Sequence, residues 1–294
     1  MEKDKNLERV RENAIGKELD EELARQFPVK ERQEVQIPTR HGEVKVYVYR
    51  PVTERQEPLP VIVNFHGGGF VKGYRGRDTL FARNLTFHTD CVVMDVDYKI
   101  APEKKYPYAM EEGYDAAVYI AEHDKEFGID RSRILLSGQS AGGNLAAGIA
   151  IMAQKSKEFS PVLVMLAYPP MDLAKDPGEK RYGDQDPDRV EMARLYNDWY
   201  IEAGRREEIY ASPVYASPKD LEGLPPFLVI TAEKDVLGEE GEKFAYQLLE
   251  AGVTVTAKRV MGATHGFVVR RSQGFEEAEN LIFATARQYG FRQE

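Results

Sequence analysis

A serine between two glycines is the residue of this chain best suited to chemistry. Ser140 stands in Gly-Gln-Ser-Ala-Gly, residues 138–142, after a short apolar run and before an Ala/Leu-rich helical pattern. At a sharp strand-to-helix turn the serine hydroxyl points away from the backbone, and flanking glycines permit close approach. The N–H of Ala141 would lie at a helix N-terminus, where a developing oxyanion is stabilised. The pattern therefore predicts an activated nucleophile.

Two other interpretations of this motif have to be weighed. A plain strand–turn–helix connection could need glycine for packing and use the serine as a helix N-cap. A phosphate-binding loop is less suitable, because the Lys-Ser/Thr of a P-loop and a Gly-x-Gly-x-x-Gly spacing are both missing. The choice depends on whether catalytic partners follow in the required order.

Three consecutive glycines follow another predicted strand. The segment His66–Phe70, His-Gly-Gly-Gly-Phe, comes directly after Val61–Phe65. A run of glycines costs backbone entropy, which indicates that main-chain N–H groups must be free and approachable. Beside a candidate nucleophile the run predicts an oxyanion hole rather than a flexible turn. His66 precedes Ser140 and is interpreted as an anchor of this loop, not as a base.

An acid and a base follow the serine in the chain. Asp235 lies in the segment that follows the predicted strand Phe227–Thr231 and could orient a histidine. Glu233 in the same segment is the alternative acid. His265 follows the last predicted strand and is one of five histidines; histidine is the usual general base near neutral pH. Ser, Asp and His in this order, each after a strand, match the order of the α/β-hydrolases.

Short runs rich in β-branched residues alternate with helical patterns. Most predict strands buried on both faces, as in a parallel sheet. These runs are Val61–Phe65, Val92–Val96, Ile134–Leu136, Val162–Ala167, Phe227–Thr231 and Val253–Val260. A hairpin of Glu34–Pro38 and Glu43–Arg50 precedes them. We expect one α/β domain over residues 1–294, with a mostly parallel eight-stranded sheet flanked by helices.

Helices are predicted between and around these strands. Gly241–Ala251 should place Phe244, Leu248 and Leu249 on one face, and a closing helix should span about Phe275–Tyr289. One or two amphipathic helices are expected within residues 1–28. A long insertion, Asp172–Asp188 with a helix near Arg189–Ala203, is typical of a cap over the site.

Three aromatic residues of that insertion could contact substrate. Tyr196, Trp199 and Tyr200 could line an apolar entrance, and the alternative, that they pack the cap onto the core, is at least as well supported.

Composition excludes some classes of function. The 294 residues carry a net charge of -9 with 42% hydrophobic residues, which argues against a nucleic-acid surface and against docking on anionic membranes. The start of the chain is too charged for a signal peptide, and no apolar run is long enough to span a bilayer. The single cysteine, Cys91, fits a reducing cytoplasm and a buried strand position. The histidines show no zinc-like spacing, so no metal or cofactor is expected.

The chain resembles the bacterial hormone-sensitive-lipase-like esterases, a branch of the α/β-hydrolases. The likeness runs from about residue 35 to the end. The matching motifs are His66–Phe70, Asp97–Glu103, Gly138–Gly143, Ala211–Pro213, Leu224–Pro226, Asp235–Leu237 and His265–Phe267.

The resemblance implies a set of roles. Ser140 would be the nucleophile, His265 the base and Asp235 its orienting acid, while Gly68, Gly69 and Ala141 would donate oxyanion N–H groups. It also implies a cap built from about residues 1–32 and 172–208, Phe70 as a substrate contact beside the aromatic residues of the insertion, and a possible homodimer through a sheet edge.

Two departures from the family stand out. Gln139 replaces the usual Asp beside the nucleophile, and Val236 replaces a Pro. Val236 in place of Pro only removes a restraint on the backbone of the loop after Asp235. Gln139 removes a charge, and we expect it to change the hydrogen bonds that hold the oxyanion loop and to modify activity without abolishing it.

The sequence thus predicts a cytoplasmic serine carboxylesterase for small, short- to medium-chain acyl esters, with no nucleic-acid partner and no stable membrane association. Amide or formamide hydrolysis by the same triad is the main alternative. A non-catalytic small-molecule binding protein on the same scaffold is the other, since fold alone does not fix function.

Overall fold

One mixed sheet organises the chain in a computed structural model that describes residues 2–56, 58–181 and 187–291. The described residues form eight strands in the order β1-β2-β4-β3-β5-β6-β7-β8. Their bounds are β1 Glu31–Thr39, β2 Gly42–Arg50, β3 Leu59–Phe65, β4 Val92–Asp97, β5 Ile129–Gln139, β6 Leu163–Ala167, β7 Phe227–Lys234 and β8 Val255–Thr264. Only β2 pairs antiparallel, with β1 and with β4; the other pairs are parallel.

Helices cover both faces of this sheet. Their bounds are α1 Glu2–Glu12, α2 Glu21–Ala24, α3 Gly76–Thr89, α4 Tyr108–Glu122, α5 Asp124–Phe127, α6 Ala141–Ser156, α7 Pro187–Tyr200, α8 Pro218–Leu221, α9 Gly238–Glu250, α10 Phe267–Arg270 and α11 Phe275–Gly290. Buried residues of α4, α6 and α9 form one core with one face of the sheet, and those of α3 and α11 form the other.

The predicted fold class is confirmed. The run Leu59–Phe65 is buried along its whole length because helices cover both of its faces. The predicted hairpin is present, with Thr39 opposite Gly42 in the turn. Cys91 is buried, and burial raises the pKa of its thiol to about 12.

Some predicted details are wrong. Leu249 is 52% exposed, because the face of α9 that packs on the sheet carries Phe244, Ala245 and Leu248 and turns away from position 249. Strand β5 begins at Ile129, five residues before its predicted start, since its first half is polar. Residues 182–186 of the predicted insertion lie outside the described residues.

A buried ion pair fastens the insertion to the sheet's helices. The Nζ of Lys180 lies 2.5 Å from Oε2 of Glu240 in α9, and the two side chains are 4% and 6% exposed. Lys180 also donates to the carbonyl of Asp172 at 3.0 Å, and Glu240 accepts from the N–H of Met171 at 2.9 Å. Both charges are therefore balanced by polar partners away from water.

Removing the cation of this pair should destabilise the fold. Lys180→Met leaves the Glu240 carboxylate buried without its cation, so we expect the free energy of unfolding to fall by about 3–5 kcal/mol near about pH 8. Burial already raises the pKa of Glu240 from 4.5 to about 7. Because folding raises this pKa, ionised Glu240 destabilises the fold as pH rises from 4.5 through about 7. The loss of unfolding free energy caused by Lys180→Met should therefore be smaller at about pH 5. Urea unfolding at both pH values measures it.

The control is the double variant Lys180→Met with Glu240→Gln, which removes both charges. It should recover most of the lost stability near about pH 8, because a neutral pair leaves no unpaired charge. Equal losses in the single and double variants would show that the pair's charges do not matter.

Candidate active site

The turn between β5 and α6 holds Ser140 in a strained conformation. Ser140 has φ 53° and ψ -121°, a positive φ that non-glycine residues seldom adopt. The turn is held by the N–H of Ser140, which donates to the carbonyl of Ala167 at 2.9 Å. An added Cβ at Gly142 would lie 1.8 Å from the carbonyl oxygen of Phe65, so only glycine lets α6 begin so close to β3.

His265 connects the serine to a buried carboxylate. Oγ of Ser140 and Nε2 of His265 are 2.9 Å apart, and Nδ1 of His265 lies 2.7 Å from Oδ2 of Asp235. The Asp235 side chain is 2% exposed and that of His265 is 37% exposed. A carboxylate can only accept, so Nδ1 carries the proton and Nε2 is left to accept from the serine hydroxyl. The structure therefore brings the three predicted residues together.

The alternative acid, Glu233, lies elsewhere. Its carboxylate accepts from the N–H of Gly262 at 2.7 Å, where the pairing of β7 with β8 is irregular. Asp235 instead accepts from the N–H of Leu237 at 3.1 Å, and this turn aims its other oxygen at His265. The geometry thus separates the two acids that the sequence left open.

The loop His66–Phe70 packs directly beside the serine. A Cβ added at Gly67 would lie 3.5 Å from Cβ of Ser140. Gly68 has φ 145° and Gly69 has φ 61°. No turn or loop hydrogen bond among the described residues uses the N–H of Gly68, Gly69 or Ala141. These three donors are accordingly available to an external acceptor.

Side chains from neighbouring elements hold that loop in place. Arg75 donates to the carbonyl of Gly67 at 2.6 Å, and the Tyr98 hydroxyl donates to the carbonyl of His66 at 2.8 Å. The buried His66 ring stacks on Tyr98 with 4.3 Å between centroids, and burial lowers the pKa of His66. His66 is placed as a loop anchor. Arg75 was not identified from the sequence, although its position at the start of α3 was the available signal.

The side chain of Gln139 is hydrogen-bonded to strand β3, and its expected effect on activity stays a prediction. Its Nε2 donates to Oδ1 of Asn64 at 2.9 Å, two residues before the loop His66–Phe70. Asn64 in turn donates to Asp95 at 2.9 Å, which also accepts from the Tyr74 hydroxyl at 2.9 Å. Burial raises the pKa of Asp95 well above its usual range. Gln139 is thus the end of a buried polar chain.

Of the four predicted substrate contacts, Phe70, Trp199 and Tyr200 are packing residues, whereas Tyr196 covers the oxyanion loop. The rings of Phe70 and Tyr200 stack 3.6 Å apart, and Tyr200 is 1% exposed, so these residues pack the insertion onto the loop instead of lining an entrance. Trp199 is buried as well. Tyr196 lies over the loop, since a Cβ added at Gly69 would meet its Cδ1 at 2.5 Å.

One aromatic residue beside the site was missed. The Tyr168 ring contacts the His265 ring edge-on, with 5.1 Å between centroids, and Tyr168 is buried at φ 42°. It is the first residue after β6, at the same edge of the sheet as the other site residues. That position was the signal that could have identified it.

The chain is similar to known proteins over most of its length. A model of a family with the α/β-hydrolase fold matches residues 62–269. An arylesterase of Saccharolobus solfataricus is 30% identical over 276 residues, 86% of this chain and 83% of the relative. The esterase LipI of Mycobacterium tuberculosis is 32% identical over 235 residues, 77% of this chain and 72% of the relative.

Solved structures give the same result. An esterase of Pyrobaculum calidifontis has a TM-score of 0.86 at 34% identity, over 98% of this chain and 93% of that one. A thermostable esterase of Pseudomonas putida has a TM-score of 0.84 at 34% identity, over 93% and 88% of the two chains. The chain belongs to the α/β-hydrolase family. Its resemblance to the hormone-sensitive-lipase-like esterases is confirmed.

Two features are absent from the described residues. None of the helices in residues 2–56, 58–181 and 187–291 is long and apolar enough to cross a membrane. Within the same ranges, no group of three or more His, Cys, Asp or Glu side chains is arranged to hold a metal ion.

The polar chain in the sheet predicts an effect of a carboxylate at position 139. In Gln139→Glu, a carboxylate oxygen would replace the Nε2 donor and face Oδ1 of Asn64, which is also an acceptor. We therefore expect the free energy of unfolding to fall by about 1–3 kcal/mol. Urea unfolding near neutral pH measures it. Gln36→Glu on the exposed face of β1 makes the same charge change and should stay within about 0.5 kcal/mol of wild type. Equal losses in both would refute a specific role for the Asn64 contact.

Proposed function

We propose that this protein is a serine carboxylesterase that hydrolyses short- to medium-chain acyl esters through an acyl-enzyme. The proposal rests on the continuous hydrogen-bonded path from Ser140 Oγ through His265 to Asp235, 2.9 and 2.7 Å. The printed names of relatives, arylesterase and carboxylesterase, support an ester as the substrate. Ser140, His265 and Asp235 then act as nucleophile, base and orienting acid.

In the first step Ser140 attacks the ester carbonyl. His265 Nε2 takes the hydroxyl proton as the Oγ–C bond forms, and the ring becomes positively charged. Asp235, buried at 2.7 Å from Nδ1, stabilises that imidazolium electrostatically and fixes its tautomer. The carbonyl oxygen becomes an oxyanion, which the amides of Gly68, Gly69 and Ala141 stabilise by hydrogen bonds.

Collapse of the tetrahedral intermediate releases the alcohol. His265 returns its proton to the leaving oxygen, and the acyl group remains on Ser140. Water then repeats the sequence, with His265 as base, and the carboxylic acid leaves. Atoms balance as ester plus water giving acid plus alcohol, with no cofactor in the proposed cycle.

The size of the substrate follows from what covers the site. Arg11 of α1 donates at 2.9 Å to the carbonyl of Val71, directly after the oxyanion loop, and at 2.8 Å to the carbonyl of Ala101. Helix α7 places Tyr196 over Gly69. We propose that the N-terminal segment and the insertion form a cap that limits the acyl chain to short or medium length.

We also propose a cytoplasmic setting. The single cysteine is free and buried, and free thiols are typical of proteins in a reducing compartment. Pairing of two copies through an exposed edge of the sheet stays a prediction.

The nucleophile is tested by Ser140→Ala. Because the acyl-enzyme cannot form, we expect kcat for p-nitrophenyl butyrate to fall by about 10³-fold or more. Release of p-nitrophenol measures the rate, and an unchanged melting temperature shows that the variant is folded. Ser160→Ala, at an exposed serine beyond α6, should keep wild-type kcat.

Undiminished turnover by the Ser140 variant would overturn the proposed function. The same assay with the matched p-nitroanilide of butyric acid addresses the amide alternative. We expect faster turnover of the ester, whereas a preference for the anilide would favour amide hydrolysis.

The oxyanion loop is tested at Gly68. An added Cβ would lie 2.7 Å from the carbonyl oxygen of Lys72, and the φ of 145° is unsuited to alanine. Gly68→Ala should therefore displace the loop N–H groups and lower kcat by about 10²–10³-fold with little change in KM. Gly73 has open space around its Cα, so Gly73→Ala should stay within about twofold. Similar kcat values for both variants would argue against the oxyanion role.

A further inference from the structure

The cavity beside His265 is lined by cations. It encloses about 380 Å³ between α7 and the loops that follow β7 and β8. Its described lining includes Lys234 and Arg270, and the carboxylate among these lining residues is Asp235, which already pairs with His265. Lys234 and Arg270 therefore place positive charge beside the catalytic histidine, although the whole chain carries a net charge of -9.

Arg270 is held close to the catalytic histidine. A Cβ added at Gly266, the residue after His265, would lie 3.3 Å from Nε of Arg270. The Arg270 side chain is exposed, and no carboxylate in the part of the chain that the structure describes forms an ion pair with it. Its guanidinium can thus turn both of its outer nitrogens towards a bound anion.

Two more cations, Lys72 and Arg77, have little counter-charge among the described residues. The Lys72 ammonium lies 5.3 Å from the centroid of the Tyr196 ring, which itself covers Gly69. Among the described residues Lys72 has no carboxylate partner. Arg77 reaches only Asp78, at 3.9 Å, and its buried Nε has no hydrogen-bond partner there. Asp78 is already bound by Arg75 at 3.0 Å.

The close approach of these cations costs free energy in the unliganded protein. Burial and three neighbouring guanidinium groups lower the pKa of Lys72 to about 8. Burial and the neighbouring cations Arg75 and Arg270 lower the pKa of Arg77 to about 10. A bound anion would offset this repulsion, and its attraction would be stronger to Lys72 and Arg77, which are partly buried, than to the exposed Arg270.

The position of the cations indicates which part of an ester carries the anion. His265 must protonate the leaving oxygen, so the alcohol part lies on the His265 side, where Arg270 and Lys234 line the cavity. We propose that the physiological substrate is an ester whose alcohol part carries a carboxylate, bound by Arg270 with support from Lys72. This proposal rests on the proposed esterase function and narrows its substrate class.

The test compares two esters that differ in charge. Acetyl esters of 4-hydroxybenzoate and of 4-hydroxybenzamide have the same shape, and only the first carries a carboxylate on the leaving alcohol. Their kcat/KM values, each divided by the rate of hydroxide-catalysed hydrolysis, give a selectivity ratio. We expect the ratio to favour the anionic ester and to fall about tenfold in Arg270→Gln and in Lys72→Gln.

Arg131→Gln is the matched control, because it makes the same charge change at the opposite end of β5 from Ser140. It should leave the selectivity ratio within about twofold of wild type. Equal ratios in Arg270→Gln and Arg131→Gln, or a wild-type preference for the neutral ester, would overturn the proposal.

A binding measurement separates this proposal from the proposed function. In Ser140→Ala, calorimetric titration should show tighter binding of 4-hydroxybenzoate than of 4-hydroxybenzamide, and the difference should vanish in Ser140→Ala with Arg270→Gln. If the wild-type enzyme hydrolysed neither these esters nor p-nitrophenyl butyrate, the esterase function would fail, and titration alone would decide the anion site. Equal binding of the two compounds would refute the anion site even if both esters were hydrolysed.

Discussion

The site depends on how closely the backbone of α6 approaches the end of β3. At Gly142 this distance leaves no room for a side chain against the carbonyl oxygen of Phe65. The contact fixes the nucleophile turn and the loop His66–Phe70 against one another, since both continue directly from the touching segments. β3 pairs with β5 from Val61 opposite Ile134 to Phe65 opposite Gly138. This register fixes where the nucleophile turn lies relative to the loop His66–Phe70 along the strand direction. Serine and loop amides therefore form one rigid unit, as preorganised catalysis requires.

Much of this arrangement could be predicted from local sequence. Strands β3, β4 and β6 are buried and mostly apolar because helices cover both faces of the sheet, and such runs are typical of strands in a parallel sheet. The carboxyl ends of such strands meet at one edge of a sheet, so the residues after each strand could be assigned to one site. The start of β5 could not be predicted, because Asp130–Arg133 is polar and lies where the pairing with β3 is irregular, between Ile129 opposite Leu59 and Ile134 opposite Val61.

Side-chain directions could not be predicted in the same way. Gln139 turns into the sheet because Asn64 offers an acceptor there, and that partner is 75 residues away in the chain. Tyr196 and Tyr200 lie one turn apart in α7, yet one covers Gly69 and the other stacks on Phe70. Lys72 and Arg270 come from distant elements, and only the folded chain shows that they face one region. No local period encodes such pairings.

The hydrogen bonds of Arg11 have a consequence for the order of folding. Its partners Val71, Ala101 and Glu103 lie 60 to 92 residues later in the chain. Helix α1 therefore cannot make these contacts until β3, β4 and the connection after β4 are in place, so these non-local contacts form late in folding. Contacts that form last, through one partly exposed side chain, are also among the first to open in the native state. Opening of the N-terminal segment would therefore break the contact of Arg11 with Val71, the residue directly after the oxyanion loop, without breaking any strand pairing in the sheet.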